Sequence, residues 1–285
     1  MAKHIILGVD IGGSHITSAL VNVKDGTILT GSLHREKIDA MADAGHIISA
    51  WCKVMDKSLQ SADNGSKIAI AMPGPFDYQN GISYMRNMGK YDALYGMDIR
   101  KLILSELKHE VNELHFINDA GCFLQGEISH GPAASYDAVA GFTLGTGFGS
   151  AFGLAGFATD GNYWCHPFMG GICEDFFSSR WFVSKYNEYA TLKVNNVKEL
   201  IDNIDFGAPM LQVFDEFSIN LSAFLTQLYK KRKFDCVVLG GNIAKAEQLF
   251  LPQLKYHVQT MGINVPILIS SKGEDAALIG AACSV

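Results

Sequence analysis

Two short Gly-rich turns, Asp10-Ile11-Gly12-Gly13-Ser14 and Leu144-Gly145-Thr146-Gly147-Phe148-Gly149, each close one apolar run and open another. A Gly-rich hairpin brings consecutive backbone N–H groups close to an anion without interference from Cβ, which is what a polyphosphate needs. One such turn says little, but a pair points to two phosphate-holding hairpins facing one nucleotide. Gly12, Gly13, Gly145, Thr146 and Gly147 would supply backbone donors, with hydroxyls added by Ser14 and Thr146; the plainer alternative is two ordinary hairpins.

Two carboxylates stand at the ends of apolar runs. Asp10 precedes the first Gly pair, where a bare carboxylate would repel a polyphosphate unless a divalent cation intervened, so it is assigned to Mg²⁺ through water. A turn Asp bonded to local N–H groups is the alternative. Asp119 follows Leu114-His115-Phe116-Ile117-Asn118 and precedes a helix at 120–130, a position from which it could take a proton from an attacking hydroxyl or could simply cap that helix. Gly240 and Gly241, between a β-rich run and a helix, read as a nucleotide-side crevice or as a plain βα turn.

The elements that position these residues follow from periodicity. Residues 4–9, 16–23 and 27–33 read as an antiparallel meander, with Lys24-Asp25-Gly26 as a hairpin turn. Ile48, Trp51, Met55 and Leu59 repeat at helical spacing within 40–61, and 67–72 reads as a buried strand before Pro73-Gly74-Pro75. Asp98 caps a helix at 98–109, and 114–117 is a fifth strand. From Ala138 the order begins again: strands at 138–144 and 149–155, helices at about 175–188 and 210–230, a strand at 235–239, a helix after Asn242, and a strand at 265–269. A shift of 133 residues superposes the two Gly turns, so the chain reads as an internal duplication of a βββαβαβ unit.

The 285 residues carry 48% hydrophobic and 18% charged side chains, a globular profile. A net charge of −6 argues against a nucleic-acid or membrane-surface binder. Lys230-Lys231-Arg232-Lys233 reads as a solvated helix C-terminus, favoured by the helix dipole. The opening residues, Met1 to Asp10, are too short an apolar stretch for a signal peptide, and no run reaches transmembrane length, so a cytoplasmic protein is expected. Six cysteines without C-x-x-C spacing signal neither a disulfide framework nor a four-thiolate metal site.

Taken in order, these segments resemble the ROK family of sugar kinases, within the actin-like ATPase superfamily. Val9 to Ser14 looks like the family's first phosphate motif, Pro73-Gly74-Pro75-Phe76-Asp77 like its P-G-P turn, and Met85-Arg86-Asn87-Met88 like its sugar-contacting loop. Ile117-Asn118-Asp119-Ala120 is similar to the strand-end Asn-Asp, and residues 144–149 to the second phosphate loop. Val238 to Ile243 resembles the adenosine motif, and Glu274 to Ala282 the closing helix. Each motif is weak alone; seven in the right order are specific.

The resemblance implies a duplicated ribonuclease H-like fold of two α/β lobes with a cleft between them. The N-terminal lobe would span 1–118 with a helix at about 275–285 packing back on it, and the larger lobe 119–274. It makes Asp119 the catalytic base and Asn87, Asn118, His166 and Glu174 the sugar contacts. It also implies ATP and Mg²⁺ as cofactors, a sugar as partner, and a homodimer. The departure lies at 162–175, Asn162 to Asp175, where the family's zinc-holding cysteine segment is shortened and out of register. No zinc site is expected there. The expected activity is ATP-dependent phosphorylation of a hexose or N-acetylhexosamine, glucokinase-like in form. The alternative is a catalytically weak or inactive sugar- or nucleotide-binding regulator without a DNA-binding segment.

Overall fold

The computed structural model describes residues 4–62, 65–202 and 207–285; Met1 to Lys3, part of the N-terminal reading above, lie outside the described residues. The first half contains β1 (Ile5–Ile11), β2 (His15–Asn22), β3 (Thr27–Ile28), β4 (His34–Lys37), α1 (Ala44–Leu59), β5 (Ser66–Met72), β6 (Phe76–Asp77), β7 (Ile82–Ser83), α2 (Ile99–Glu106) and β8 (Val111–Asn118). The second contains α3 (Asp119–His130), β9 (Ala138–Leu144), β10 (Phe148–Leu154), β11 (Phe157–Asp160), β12 (Pro167–Phe168), β13 (Gly171–Ile172), α4 (Glu174–Phe177), α5 (Ser179–Tyr189), α6 (Val197–Asp202), α7 (Gly207–Lys231), β14 (Cys236–Gly240), α8 (Glu247–Thr260), β15 (Ile267–Ile269) and α9 (Asp275–Cys283).

The duplication is visible in strand order. One sheet runs β3-β2-β1-β5-β8 and the other β11-β10-β9-β14-β15. In both, the first three strands are antiparallel and the last two join in parallel. A parallel join needs a crossover, and helices supply it in each half.

Three local readings are corrected. The run 27–33 is not one strand: β3 pairs with the far end of β2, β4 with its near end, and the chain between loops out through Gly31 at φ 78°. Inside that loop the Ser32 hydroxyl accepts the Leu20 N–H at 3.1 Å, replacing a ladder bond. The helix placed at 175–188 is two, because Ser178 is extended while the Ser179 N–H and hydroxyl both donate to the Gly145 carbonyl at 2.8 Å. The cap of α3 is Asn118, whose Oδ1 accepts the Gly121 N–H at 3.1 Å; Asp119 is already the first helical residue.

Alternation along the strands divides the first sheet. Leu7, Val9, Ile11, Ile16, Leu20, Ile68 and Ile70 pack with Ile48, Trp51, Met55 and Leu59 of α1. The opposite face carries Ile6, Ala19, Ala69 and Ala71 and meets Leu278, Ile279, Ala281 and Ala282 of α9. Small residues let the helix lie close to the sheet: a Cβ on Gly8 would stand 2.3 Å from the Leu278 carbonyl oxygen. On the second sheet the corresponding face, with Val139, Ala151 and Val238, is covered by Ala120, Phe123, Leu124 and Ile128 of α3. The helices α3 and α9 cross between the sheets in backbone contact, since a Cβ on Gly280 would lie 1.7 Å from the Cys122 carbonyl oxygen and one on Gly126 2.2 Å from that of Ala276. Among the described residues no helix is long and apolar enough to cross a membrane.

Candidate active site

The face of the first sheet that α9 covers continues beyond that helix as a row of polar side chains. Register sets Ala71 beside Asp10, Asp10 beside Thr17, and Thr17 beside Arg35. Asp10, Thr17 and Arg35 line a pocket of about 390 Å³ whose opposite wall is Thr143, Gly145, Gly240 and Gly241 of the second sheet. Gly241 adopts φ 87°, and a Cβ there would stand 2.4 Å from the Leu144 carbonyl oxygen, so only glycine serves at this turn.

Gly12 and Ser14 of the first Gly turn and Gly145 of the second line this space, but the turn donors are not all free. The Gly12 N–H closes its hairpin on the His15 carbonyl at 2.9 Å and the Gly145 N–H closes on Gly147 at 3.1 Å. These two N–H groups are thus engaged within their own turns. The N–H groups of Gly13, Ser14, Thr146 and Gly147 have no acceptor among the described residues. The second turn is braced from outside: Phe148 wedges against Phe142, Phe177 and Phe224 with centroids 5.0–5.6 Å apart. Its N–H donates to Glu174 at 3.2 Å.

Because Asn118 takes the capping role, the Asp119 carboxylate is left in the cleft, held by its contact with the Ala120 N–H at 2.8 Å. Burial raises its pKa, while the Lys90 charge and the Ala120 N–H pull the other way. Burial first, then the neighbouring Asp119, push Asp10 up to about 7, and the Arg35 charge opposes them. Two carboxylates that resist ionisation together thus share one cleft, an arrangement that calls for a cation or a proton between them.

A second pocket of about 720 Å³ opens on the other side of Asp119, and the two have Asp119, Ala120, Thr143, Gly145 and Gly241 in common. Its walls carry Tyr78, Lys90, Asn118, Asp160, Asn162, Trp164 and Glu174. Asn118 donates to the Tyr78 hydroxyl at 3.1 Å. Glu174 lines the pocket while its carboxylate is engaged by Phe148 and, at 2.8 Å, by Arg180. Asn87 and His166 do not line it: Asn87 is exposed in a left-handed turn (φ 58°), and His166 packs on Tyr163 with centroids 4.9 Å apart. Cys165 is exposed and Cys173 buried. No group of three His, Cys, Asp or Glu among the described residues is arranged to hold a metal ion.

Four charged residues of the cleft escape the sequence reading: Arg35, Lys90, Asp160 and Lys245. Of these only Asp160 has a local signal, a carboxylate ending an alternating run before Gly161. A further cavity of about 990 Å³ adjoins the second Gly turn, lined by Thr146, Arg180, Val183, Ile201, Asn242 and Lys245 among others.

The ROK family profile matches residues 6–285. An N-acetyl-D-glucosamine kinase of Haemophilus influenzae (strain 86-028NP) is 23% identical, with 96% of this chain and 97% of that protein covered. A crystal structure of a ROK family glucokinase from Streptomyces griseus in complex with glucose and AMPPNP superposes with a TM-score of 0.78 at 20% identity, covering 98% of each chain. An inorganic polyphosphate/ATP-glucomannokinase from Arthrobacter sp. strain KM gives 0.74 at 23% identity, covering 98% of this chain and 97% of that one. The duplicated pair of sheets is therefore the actin-like ATPase fold of these kinases.

Proposed function

The chain belongs to the ROK family, and on that premise we propose that it is an ATP-dependent sugar kinase that phosphorylates a hydroxyl of a hexose or N-acetylhexosamine. The observation that carries this reading is the meeting of two pockets at Asp119, one bordered by Gly turns and cations, the other by hydroxyl- and amide-bearing side chains. A phosphoryl donor on one side and an acceptor hydroxyl on the other would bring the reacting atoms to that carboxylate, which would accept the hydroxyl proton as the new O–P bond forms. The lobes, 1–118 with 275–285 and 119–274, would close over both substrates and exclude water.

Asp10 and Asp119, both buried enough to have raised pKa values, suit a divalent cation in the donor pocket. Asp10 would hold Mg²⁺ through water, and the ion would neutralise charge on the polyphosphate. Gly13, Ser14, Thr146 and Gly147 would direct their free N–H groups at phosphate oxygens. On the acceptor side Asn118, Asp160, Asn162 and Glu174 would read sugar hydroxyls, which need paired donors and acceptors at fixed positions.

Coupled measurement of ADP release over a panel of hexoses and N-acetylhexosamines, with Asp119→Asn as control, tests the reading. Sugar-dependent turnover that the substitution abolishes supports it. Binding of sugar and nucleotide without turnover overturns it in favour of a regulatory binding protein.

A further inference from the structure

The donor pocket is rimmed by a three-residue ionic cluster that joins the two sheets. Arg35 arrives from β4 of the first sheet, fixed there by its pairing with Thr17. Lys245 arrives from the second, in a 3₁₀ turn (Ala244–Ala246) just past Gly241-Asn242. Glu274, immediately before α9, meets both: one carboxylate oxygen pairs with Arg35, and the other takes Lys245 at 3.3 Å. All three line the pocket that holds Asp10 and Gly12, and Lys245 also borders the adjoining cavity.

The charges make this arrangement unfavourable for an anion as it stands. A polyphosphate entering the pocket faces the carboxylates of Asp10, Asp119 and Glu274, while Arg35 and Lys245, the arginine and lysine that line this pocket, are both paired with Glu274. Each member of the cluster is about half exposed, and ion pairs of that exposure contribute little to stability and exchange partners readily. A phosphate is a better partner than a carboxylate for both cations: it carries more charge and offers three oxygens, which suits the planar fork of arginine in particular.

We infer that Arg35 and Lys245 are the cationic jaws of the donor pocket, closing on a polyphosphate from opposite sheets, and that Glu274 is an internal carboxylate which the polyphosphate displaces. This rests on the kinase reading only for the identity of the ligand. The cluster would hold the sheets together at the cleft mouth before the donor arrives and hand its cations to the donor afterwards.

Calorimetric titration with ATP and with inorganic tripolyphosphate, without sugar, tests the inference. Glu274→Gln removes the competitor and is expected to tighten tripolyphosphate about 3- to 10-fold, whereas Arg35→Gln and Lys245→Gln each weaken it about 10-fold. In the Arg35→Gln/Lys245→Gln background the gain from Glu274→Gln should vanish. A Glu274→Gln protein that folds as wild type and binds tripolyphosphate no more tightly overturns the displacement. Should that variant not fold, unchanged affinity in both Arg35→Gln and Lys245→Gln overturns the jaws on its own. Wild-type protein that binds tripolyphosphate with this pattern but shows no sugar-dependent turnover supports the jaws while removing the kinase reading. Wild-type protein that binds neither probe overturns both.

Discussion

Tyr91 donates its phenolic hydrogen to the main-chain carbonyl of Gly12 at 2.5 Å, tying the loop that carries Lys90 to the first Gly turn. The ring is fully buried, edge-on to Trp51 at 5.2 Å, and the residue sits at φ 58°, a conformation an aromatic side chain adopts only when its surroundings impose it. One side chain therefore couples the wall of the cleft that carries Lys90 to the wall that carries Gly12.

Replacing Tyr91 by Phe keeps the ring and leaves the Gly12 carbonyl without its donor. Loss of one buried hydrogen bond is expected to lower unfolding free energy by about 1–2 kcal/mol. The KM for ATP should rise about 5-fold, because the turn loses its outer support. Urea unfolding and steady-state kinetics check both, and a KM unchanged within error would reduce Tyr91 to a packing residue.

Asn118 caps α3 while Asp119 is the proposed base, so their substitutions should separate. Asp119→Asn is expected to lower kcat by about 10²–10⁴-fold while leaving the helix cap intact. Asn118→Ala should cost about 1 kcal/mol of stability through loss of the cap. Retention of more than about a tenth of kcat by Asp119→Asn would remove the base role, since general-base catalysis contributes more than that.

Burial and the adjacent Asp119 lift Asp10 from 3.8 to about 7. Between those values the folded protein keeps a proton that the unfolded chain has released, so this group makes stability fall as pH rises through the window. Asp10→Asn has no such charge to bury. The variant should unfold close to the wild-type temperature at pH 4 and about 2–6 °C above it at pH 8, without nucleotide or metal. Equal midpoints at both pH values in thermal scans would mean that Asp10 titrates like a surface carboxylate.

At the crossing of α3 and α9 there is no room for a methyl group. A Cβ on Gly280 would be 1.7 Å from the Cys122 carbonyl oxygen and 2.5 Å from the Gly126 nitrogen, both backbone atoms that cannot step aside. Gly280→Ala is expected to destabilise the protein by about 3 kcal/mol or more, read from urea unfolding. A loss under about 1 kcal/mol would show that the two helices separate easily.

The parts of the site that sequence reveals are those encoded locally. Asp10-Ile11-Gly12-Gly13 and Asn118-Asp119 each combine an apolar strand, a carboxylate and a turn or cap within a few residues, and both stand where that pattern puts them. What stays hidden depends on distant partners. Arg35 enters the cleft only because β4 pairs with β2 in one register, and Lys90 only because Tyr91 draws its loop onto Gly12. The break between α4 and α5 follows from a bond between Ser179 and Gly145, 34 residues apart, which no helical periodicity can report. Whether Asp119 or Asn118 caps α3 is likewise undecided by composition, since both residue types cap well; the backbone hydrogen bond to Asn118 decides it.

Where Gly126 and Gly280 let two backbones touch, the distance between the helices is pinned. If the lobes close as proposed, a crossing of two touching backbones would serve as their pivot. Motion about it would sweep side chains in proportion to their lever arm, so that the rim residues Arg35 and Lys245 would change separation as the cleft closes. Spin labels on the two rim positions would report a wide change in separation on closure, and a pair beside the pivot almost none.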